Sequence, residues 1–291
     1  MSELVLVAGA TGALGRHVIS ELKSRGHRVR ALTRNPERLR AQSPEVHEVH
    51  KADALDAASL KGACDGVSVV FSCLGAAVSP QFSGELGRKP FSAVDYPANK
   101  NLVDAAKAAK VSKMVYVSAL SAERNRHLDY MDAHEKVVDE LRASGLEYAV
   151  LRPAGFFSAL GELVDMARKG PLPVLGDGTA RTNPIHDADL AKLCVDAIQD
   201  STRERDVGGP EVLTRKQIAE LAFSAVGRPV KLRMVPAGMA RAMAPMLRLF
   251  NPRVAAVTAF LAEVTTHESI APTHGSRRLE DYFRERAATA R

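Results

Sequence analysis

The feature that most constrains this chain is a glycine-spaced turn, Gly9-Ala10-Thr11-Gly12-Ala13-Leu14-Gly15, set between stretches of different periodicity. Before it, Leu4 to Ala8 is an uninterrupted apolar run, the pattern of a parallel strand buried on both faces. After it, Leu14, Val18 and Leu22 recur at i, i+4 and i+8, one face of a helix that Gly26 ends. Glycines at these places have a physical purpose. Gly9 permits the tight turn, Gly12 lets backbone approach a pyrophosphate, and Gly15 lets the helix pack close to the sheet. The unpaired N–H groups at the helix start, around Thr11, Ala13 and Leu14, together with the helix dipole then favour phosphate charge.

The alternation continues. Arg28 to Thr33, Val46 to Val49, Val67 to Cys73, Met114 to Ser118 and Tyr148 to Leu151 read as strands. Between them, Asn35-Pro36 opens a short helix, and Ala93 to Ala109 and Asp132 to Ser144 read as longer ones. Strand–helix alternation of this kind implies an α/β fold with a Rossmann-type doubly wound parallel sheet. Beyond residue 153 glycines and prolines break the chain into short pieces. Helices are expected at Asp187 to Ile198 and at Thr214 to Val226, with Thr214 as N-cap. Ala237 to Val264 is Met- and Ala-rich, interrupted by Pro245 and Pro252. The expected division is a dinucleotide-binding core over 1–153 and, over 154–291, mainly a smaller substrate-side lobe with elements returning to the core.

Composition excludes several classes. Hydrophobic residues at 46% and charged residues at 25% are ordinary for a globular chain and rule out low-complexity disorder. Cys64, Cys73 and Cys194 are too few for a disulfide scaffold and suggest a reducing compartment. The opening MSELVLVAGATG has no basic segment leading into a long apolar core, so no secretory signal is expected, and no window offers a membrane span. The expected localisation is cytoplasmic. Net charge is +6, with Lys and Arg spread along the chain; an anionic cofactor accounts for it, and nucleic-acid binding is not expected.

The end of the second strand selects the dinucleotide. An NAD site usually places Asp or Glu there to bond the ribose 2′-hydroxyl. Here the segment is Ala31-Leu32-Thr33-Arg34-Asn35-Pro36, with Arg38 a turn later and no carboxylate before Glu37. Arg34 can meet a 2′-phosphate as a planar fork, and Thr33 can donate a hydroxyl. NADP(H) is expected over NAD(H).

At these residues the sequence resembles the short-chain dehydrogenase/reductase superfamily. The spacing Gly9-xx-Gly12-xx-Gly15 is similar to its extended and atypical branches, including the NmrA-like proteins. The resemblance covers almost the whole chain and implies roles for particular residues. Asp53, followed by Ala54, is similar to the aspartate that contacts adenine. Cys73-Leu74-Gly75 resembles the turn lining the adenosine, and Asn99 and Asn101 lie in the helix that follows. Arg152-Pro153-Ala154-Gly155-Phe156-Phe157 resembles the loop over the nicotinamide. Residues 183–191, NPIHDADLA, and 208–214, GGPEVLT, are similar to two further family segments. The resemblance leaves the substrate open, and the family includes monomers as well as dimers, so a homodimer is a possible arrangement.

The superfamily's reductases use Ser, Tyr and Lys, the Lys four residues after the Tyr. Tyr130 stands at the tyrosine place, but His134 stands where Lys is expected. Ala119 occupies the serine slot, with Ser118 and Ser121 as neighbouring hydroxyls. His134, Val137, Val138 and Leu141 recur at i, i+3, i+4 and i+7, which puts His134 on an inward stripe. Lys136, about 200° away around the helix, is a poor replacement. The catalytic expectation is Tyr130 as proton donor, tuned by a protonated His134, with Ser118 assisting. The plainer reading makes Tyr130 and His134 structural polar residues at the sheet edge.

Other constellations carry less. His47 and His50, at i and i+3 on a strand, face opposite sides, and His186, Asp187 and Asp189 read as packing at a helix start, so no metal is expected. The Met-rich stretch reads first as core or lid, and otherwise as an apolar substrate pocket or an interfacial helix. Arg277, Arg278, Arg284, Glu285 and Arg286 read as a solvated helix face. Two functions follow, with a third reading, an epimerase or isomerase on a nucleotide-sugar, for which an intact catalytic triad is expected. One is an NADPH-dependent oxidoreductase acting on a small, apolar carbonyl or conjugated compound. The other is a non-catalytic NADP-binding redox sensor of the NmrA-like type, which the altered Ser and Lys places support.

Overall fold

The computed structural model describes residues 3–75, 78 and 88–289, without the side chains of residues 240 and 241. Seven strands form the main sheet: β1 (Leu4–Ala8), β2 (Arg28–Thr33), β3 (Glu48–Lys51), β4 (Val69–Ser72), β5 (Lys113–Val117), β6 (Glu147–Pro153) and β9 (Glu204–Val207). They lie in the order β3-β2-β1-β4-β5-β6-β9, every neighbouring pair parallel. The order of strand addition reverses between β1 and β4, the switch point of a doubly wound sheet.

Alternation along the strands builds two cores. Val5, Val7, Val29, Ala31, Val69, Phe71, Val115 and Val117 face one side. They meet α1 (Ala13–Ser24) and α7 (Asp187–Asp196) through Val18, Leu22, Leu190 and Cys194. Leu6, Ala8, Leu32, Val70, Met114 and Tyr116 face the other side. There they pack on α3 (Asp95–Ala108) and α4 (Asp129–Ser144) through Leu102, Val103, Val137 and Leu141. Each strand buries both faces, as its unbroken apolar run requires.

The α4 helix starts at Asp129, earlier than the expected Asp132, because Asp129 accepts the backbone N–H groups of Phe91 and Ser92 and is held there. This brings Tyr130 onto the helix. The third strand is displaced two residues, to Glu48–Lys51, where it pairs in register with Arg30 to Thr33. Neither β9 nor its place at the sheet edge follows from the apolar pattern: Glu204-Arg205-Asp206-Val207 is polar.

The smaller lobe packs α6 (Glu162–Lys169), α8 (Arg215–Ala225) and α11 (Leu279–Thr289) around Phe157, Phe223 and Phe283. Strands β7 (Leu172–Leu175) and β11 (Leu232–Val235) pair beside them. Two of the resemblance segments lock this lobe to the sheet. A Cβ at Gly208 or Gly209 would overlap the Asn183 amide or the Pro184 carbonyl. Asn183 donates to the Ala271 carbonyl at 2.7 Å and accepts from the Ala271 N–H at 3.0 Å. Arg277, Arg278, Arg284 and Glu285 are exposed, as a solvated face requires, and the C-terminal arginines are ion-paired as well. Arg277 pairs with Asp189, Arg278 with Glu211, and Arg286 with Asp165, tying the chain end back to earlier segments.

Beneath β5 and β6 a buried polar chain crosses the layers. Arg152 binds Glu135 at 3.2 Å and Glu204 at 2.9 Å, and Glu204 also holds Arg142 at 2.7 Å. Glu135 is 1% exposed. Removing one partner of such a pair leaves an uncompensated charge in low dielectric. Glu135→Ala is expected to cost about 3 kcal/mol in urea unfolding, the low end for a buried pair because Glu204 still holds one side. Glu135→Leu combined with Arg152→Met should recover most of that loss.

Candidate cofactor and active site

A cavity of about 490 Å³ opens past the carboxyl ends of β1 to β4. Its floor is the glycine turn. Gly9 has φ +82°, and a Cβ there would lie 2.5 Å from the Cys73 carbonyl oxygen. A Cβ at Gly15 would overlap the Gly9 carbonyl oxygen. Gly12 differs: its added Cβ would meet only the Gly9 oxygen, at 3.2 Å, and otherwise points into space. So Gly9 and Gly15 serve the fold, while Gly12 keeps open a cradle at the N-cap of α1. The N–H groups of that first turn have no partners within the helix and face an anion-favouring end of the dipole.

Of the expected cofactor residues, Gly9, Thr11, Gly12, Thr33, Arg34, Arg38, Asp53, Ala54, Cys73, Leu74 and Gly75 line this cavity. Ala13, Leu14, Gly15, Ser118, Pro153, Ala154, Gly155 and Phe156 are not among its lining residues. Leu32, Asn35, Ala52, Leu55, Val94, Asp95 and Ala98 line it without having been singled out. Five of the seven are apolar, at strand ends (Leu32, Ala52), in a loop (Leu55) or at the start of α3 (Val94, Ala98), and look like core in the sequence; Asn35 carries a signal as an N-cap before Pro36.

The wall at the end of β2 is cationic. Arg28 and Arg30 pair with Glu48, yet the exposed guanidinium groups of Arg34 and Arg38 have no carboxylate partner among the described residues. The α2 helix (Pro36–Gln42) presents Arg38 through its Asn35 cap, whose side chain accepts the Arg38 N–H at 2.9 Å. Thr33 departs from expectation. Its hydroxyl donates to the Asn35 carbonyl at 3.2 Å and accepts the Asn35 N–H at 3.1 Å, so it shapes the turn.

Asn99 and Asn101 brace the opposite wall, donating to the Leu74 carbonyl at 3.3 Å and the Ala54 carbonyl at 2.9 Å. Asp53 accepts the Leu55 N–H at 3.0 Å. Burial pushes the Cys73 thiol up to about 12, so it lines the cavity as a small apolar group.

The expected catalytic residues sit on the neighbouring face of the sheet. The Tyr130 ring is boxed by Phe91 at 4.9 Å, His134 at 4.6 Å and Phe260 at 4.6 Å between centroids. Phe260 comes from α10 (Pro252–Thr266), which covers this region. Ala119 packs in the same cluster, so the serine slot faces Tyr130 with a methyl group. The Tyr130 hydroxyl has no hydrogen-bond partner among the described residues. Burial, with the Asp95 carboxylate nearby, raises its phenol well above the ordinary value.

His134 does not play the expected part. Its Nδ1 lies 2.6 Å from the Tyr116 hydroxyl, and burial lowers its pKa to about 4. It is a neutral imidazole at physiological pH and supplies no positive charge to Tyr130. Ser118 is 2% exposed, its Oγ 3.4 Å from Glu135, and belongs to the buried Arg152–Glu135 chain.

The rejected metal groupings have structural partners. His47 Nδ1 accepts the Val29 N–H at 3.1 Å, Asp187 accepts the Ser158 hydroxyl at 2.6 Å, and His186 caps α7.

Comparison with known proteins agrees with this geometry. A sequence-family model described as NAD(P)H-binding matches residues 9–201. The chain belongs to the NAD(P)H-binding family. Its motifs remain similar to those of the atypical short-chain dehydrogenase/reductase group. Among curated relatives, the chloroplastic divinyl chlorophyllide a 8-vinyl-reductase of Zea mays is 34% identical over 80% of this chain and 61% of its own length. The chain therefore spans about three fifths of that relative. In the solved structures, an NADPH-dependent quinone oxidoreductase of Escherichia coli, complexed with NADPH, shares the fold at TM-score 0.68 and 22% identity, covering 98% of this chain and 99% of that one. The triphenylmethane reductase of Citrobacter sp. matches at TM-score 0.74 and 19% identity over 99% and 100%. Among the described residues no helix is long and apolar enough to cross a membrane.

Two measurements test the family member's cofactor site. Arg34→Glu is expected to weaken NADPH binding by about 10-fold or more and to spare NADH, as for a lost charge-assisted bond; equal titration curves for the two cofactors on wild type would contradict this. Gly12→Val should abolish binding with little change in melting temperature, whereas Gly15→Ala should lower the melting temperature, because its Cβ has no room.

Proposed function

We propose that the chain is an NADPH-dependent reductase acting on a small, apolar carbonyl or conjugated compound. The observation that carries this reading is the pairing of two sites. A glycine cradle with two arginines that have no carboxylate partner among the described residues suits a pyrophosphate and a 2′-phosphate, and beside it a tyrosine hydroxyl is held in an aromatic enclosure. Bound NADPH would supply a hydride. Gly12 and the first turn of α1 hold the phosphates, while Arg34 and Arg38 select the phosphorylated ribose. The names of the relatives support a reductase: a vinyl group, a quinone and a triphenylmethane dye are all conjugated and largely apolar acceptors.

Tyr130 then works as a neutral donor. With His134 neutral, the phenol keeps its proton through the ground state, hydrogen-bonds the acceptor oxygen as charge develops there, and gives up that proton to the oxygen, regaining one from solvent afterwards. Phe91 and Phe260 keep water from that bond and strengthen it. A second reading, a non-catalytic NADP-binding redox sensor, is favoured by one specific observation. Ala119 and the Tyr116-bound His134 replace the hydroxyl and the cation of the usual set.

The two readings separate in a stopped-flow assay with NADPH and a quinone or an enone. The reductase reading expects NADPH oxidation, lowered about 10²-fold in Tyr130→Phe with NADPH affinity unchanged. Since His134 is already neutral above about pH 4, the rate should stay level from pH 5.5 to about 8 and not fall through the usual histidine range. Tight NADPH binding with no oxidation by any such acceptor would favour the sensor.

A further inference from the structure

The Met-rich segment found no place in the site. In α9 (Ala237–Arg248) the side chains of Met239, Met243 and Met246 recur at i, i+4 and i+7, and Phe250 follows four residues on. They form one narrow stripe, and all four are exposed. Leu249 and Phe250 at its end are 84% and 82% exposed. The other face of α9 rests on α10, with Ala244 buried there. Such a stripe on a helix already anchored from behind is not core, and a contiguous exposed apolar surface marks a contact.

Charge indicates what covers it. From residue 221 to 262 the sequence carries Arg228, Lys231, Arg233, Arg241, Arg248 and Arg253 and no carboxylate, in a chain with 34 Asp and Glu. Lys231, Arg233 and Arg248 are exposed and form no ion pair among the described residues. Pairing this face with a second copy would bring like charges together. An anionic surface satisfies both features: apolar side chains enter the acyl boundary while Lys and Arg meet the headgroups.

We propose that α9, with the end of β11, is a docking surface for an anionic lipid bilayer, on which the helix lies in the interface without spanning it. This stands independently of the reductase reading. Twelve residues are too short to cross, and their apolar stripe is too narrow to be surrounded by lipid.

The test is co-sedimentation of the full chain with vesicles of phosphatidylcholine alone and of phosphatidylcholine with phosphatidylglycerol. The expected result is partition onto the phosphatidylglycerol vesicles, weakened as salt rises. Leu249→Asp with Phe250→Asp should reduce partition by about tenfold or more, and Arg233→Gln with Arg248→Gln should remove the preference for phosphatidylglycerol. Both variants should keep wild-type NADPH titration and melting temperature, since none of these side chains is buried. The proposal is overturned if the protein stays in the supernatant with both vesicles, if it binds both equally, or if the aspartate variant partitions like wild type. It is also overturned if sedimentation velocity shows a dimer that the aspartate pair dissolves, which would assign the stripe to a second copy.

Discussion

The close approach of α1 to β1 and β4 is the contact on which the rest depends. It exists only because Gly9 and Gly15 lack side chains: one would strike the Cys73 backbone, the other the Gly9 backbone. With the helix seated this deeply, its first N–H groups stand over the ends of β1 and β4, where the strand order reverses and a crevice must open. The cavity, its cationic wall and its asparagine-braced wall are arranged around that one packing distance. A methyl group at either position would move the helix and with it the electrostatic floor of the site.

Dehydration governs the second site in the same way. The Tyr130 enclosure is lined by Phe91, Phe260 and the edge of His134. An imidazole there loses hydration without gaining a carboxylate, so the neutral form prevails. The chain has Tyr130 at the tyrosine place and a neutral imidazole, His134, where the resemblance expects a cation. In the proposed reductase, this low-dielectric setting would strengthen a hydrogen bond from the Tyr130 hydroxyl to an apolar acceptor.

The second half of the chain is interlaced with the first. The α7 helix packs on α1, β9 extends the main sheet beside β6, and Glu204 on β9 completes the buried chain through Arg152 to Glu135. Asn183 and the Gly208-Gly209 pair then bind the return segments to one another. The loop after β6 is thereby held by backbone bonds to Ile185 and Val207, which come from distant parts of the sequence.

Much was legible before any coordinates. Unbroken apolar runs, helical stripes and the glycine spacing are local properties, and they determined the strand–helix alternation, the doubly wound sheet and the position of the cradle. So did the missing carboxylate after β2, because its place is counted along the chain from that turn. What only the tertiary structure decided are properties of partners far apart in sequence. Whether Thr33 offers its hydroxyl outward depends on how its turn closes on Asn35. Whether His134 carries charge depends on its burial, which elements distant in the sequence complete. That the C-terminal arginines are ion-paired depends on carboxylates up to 121 residues away. Whether the methionines of α9 are core or surface depends on which face α10 takes. Periodicity specifies that a side chain belongs to a face, but burial, charge state and pairing are set by what that face meets, and the meeting is made by the fold.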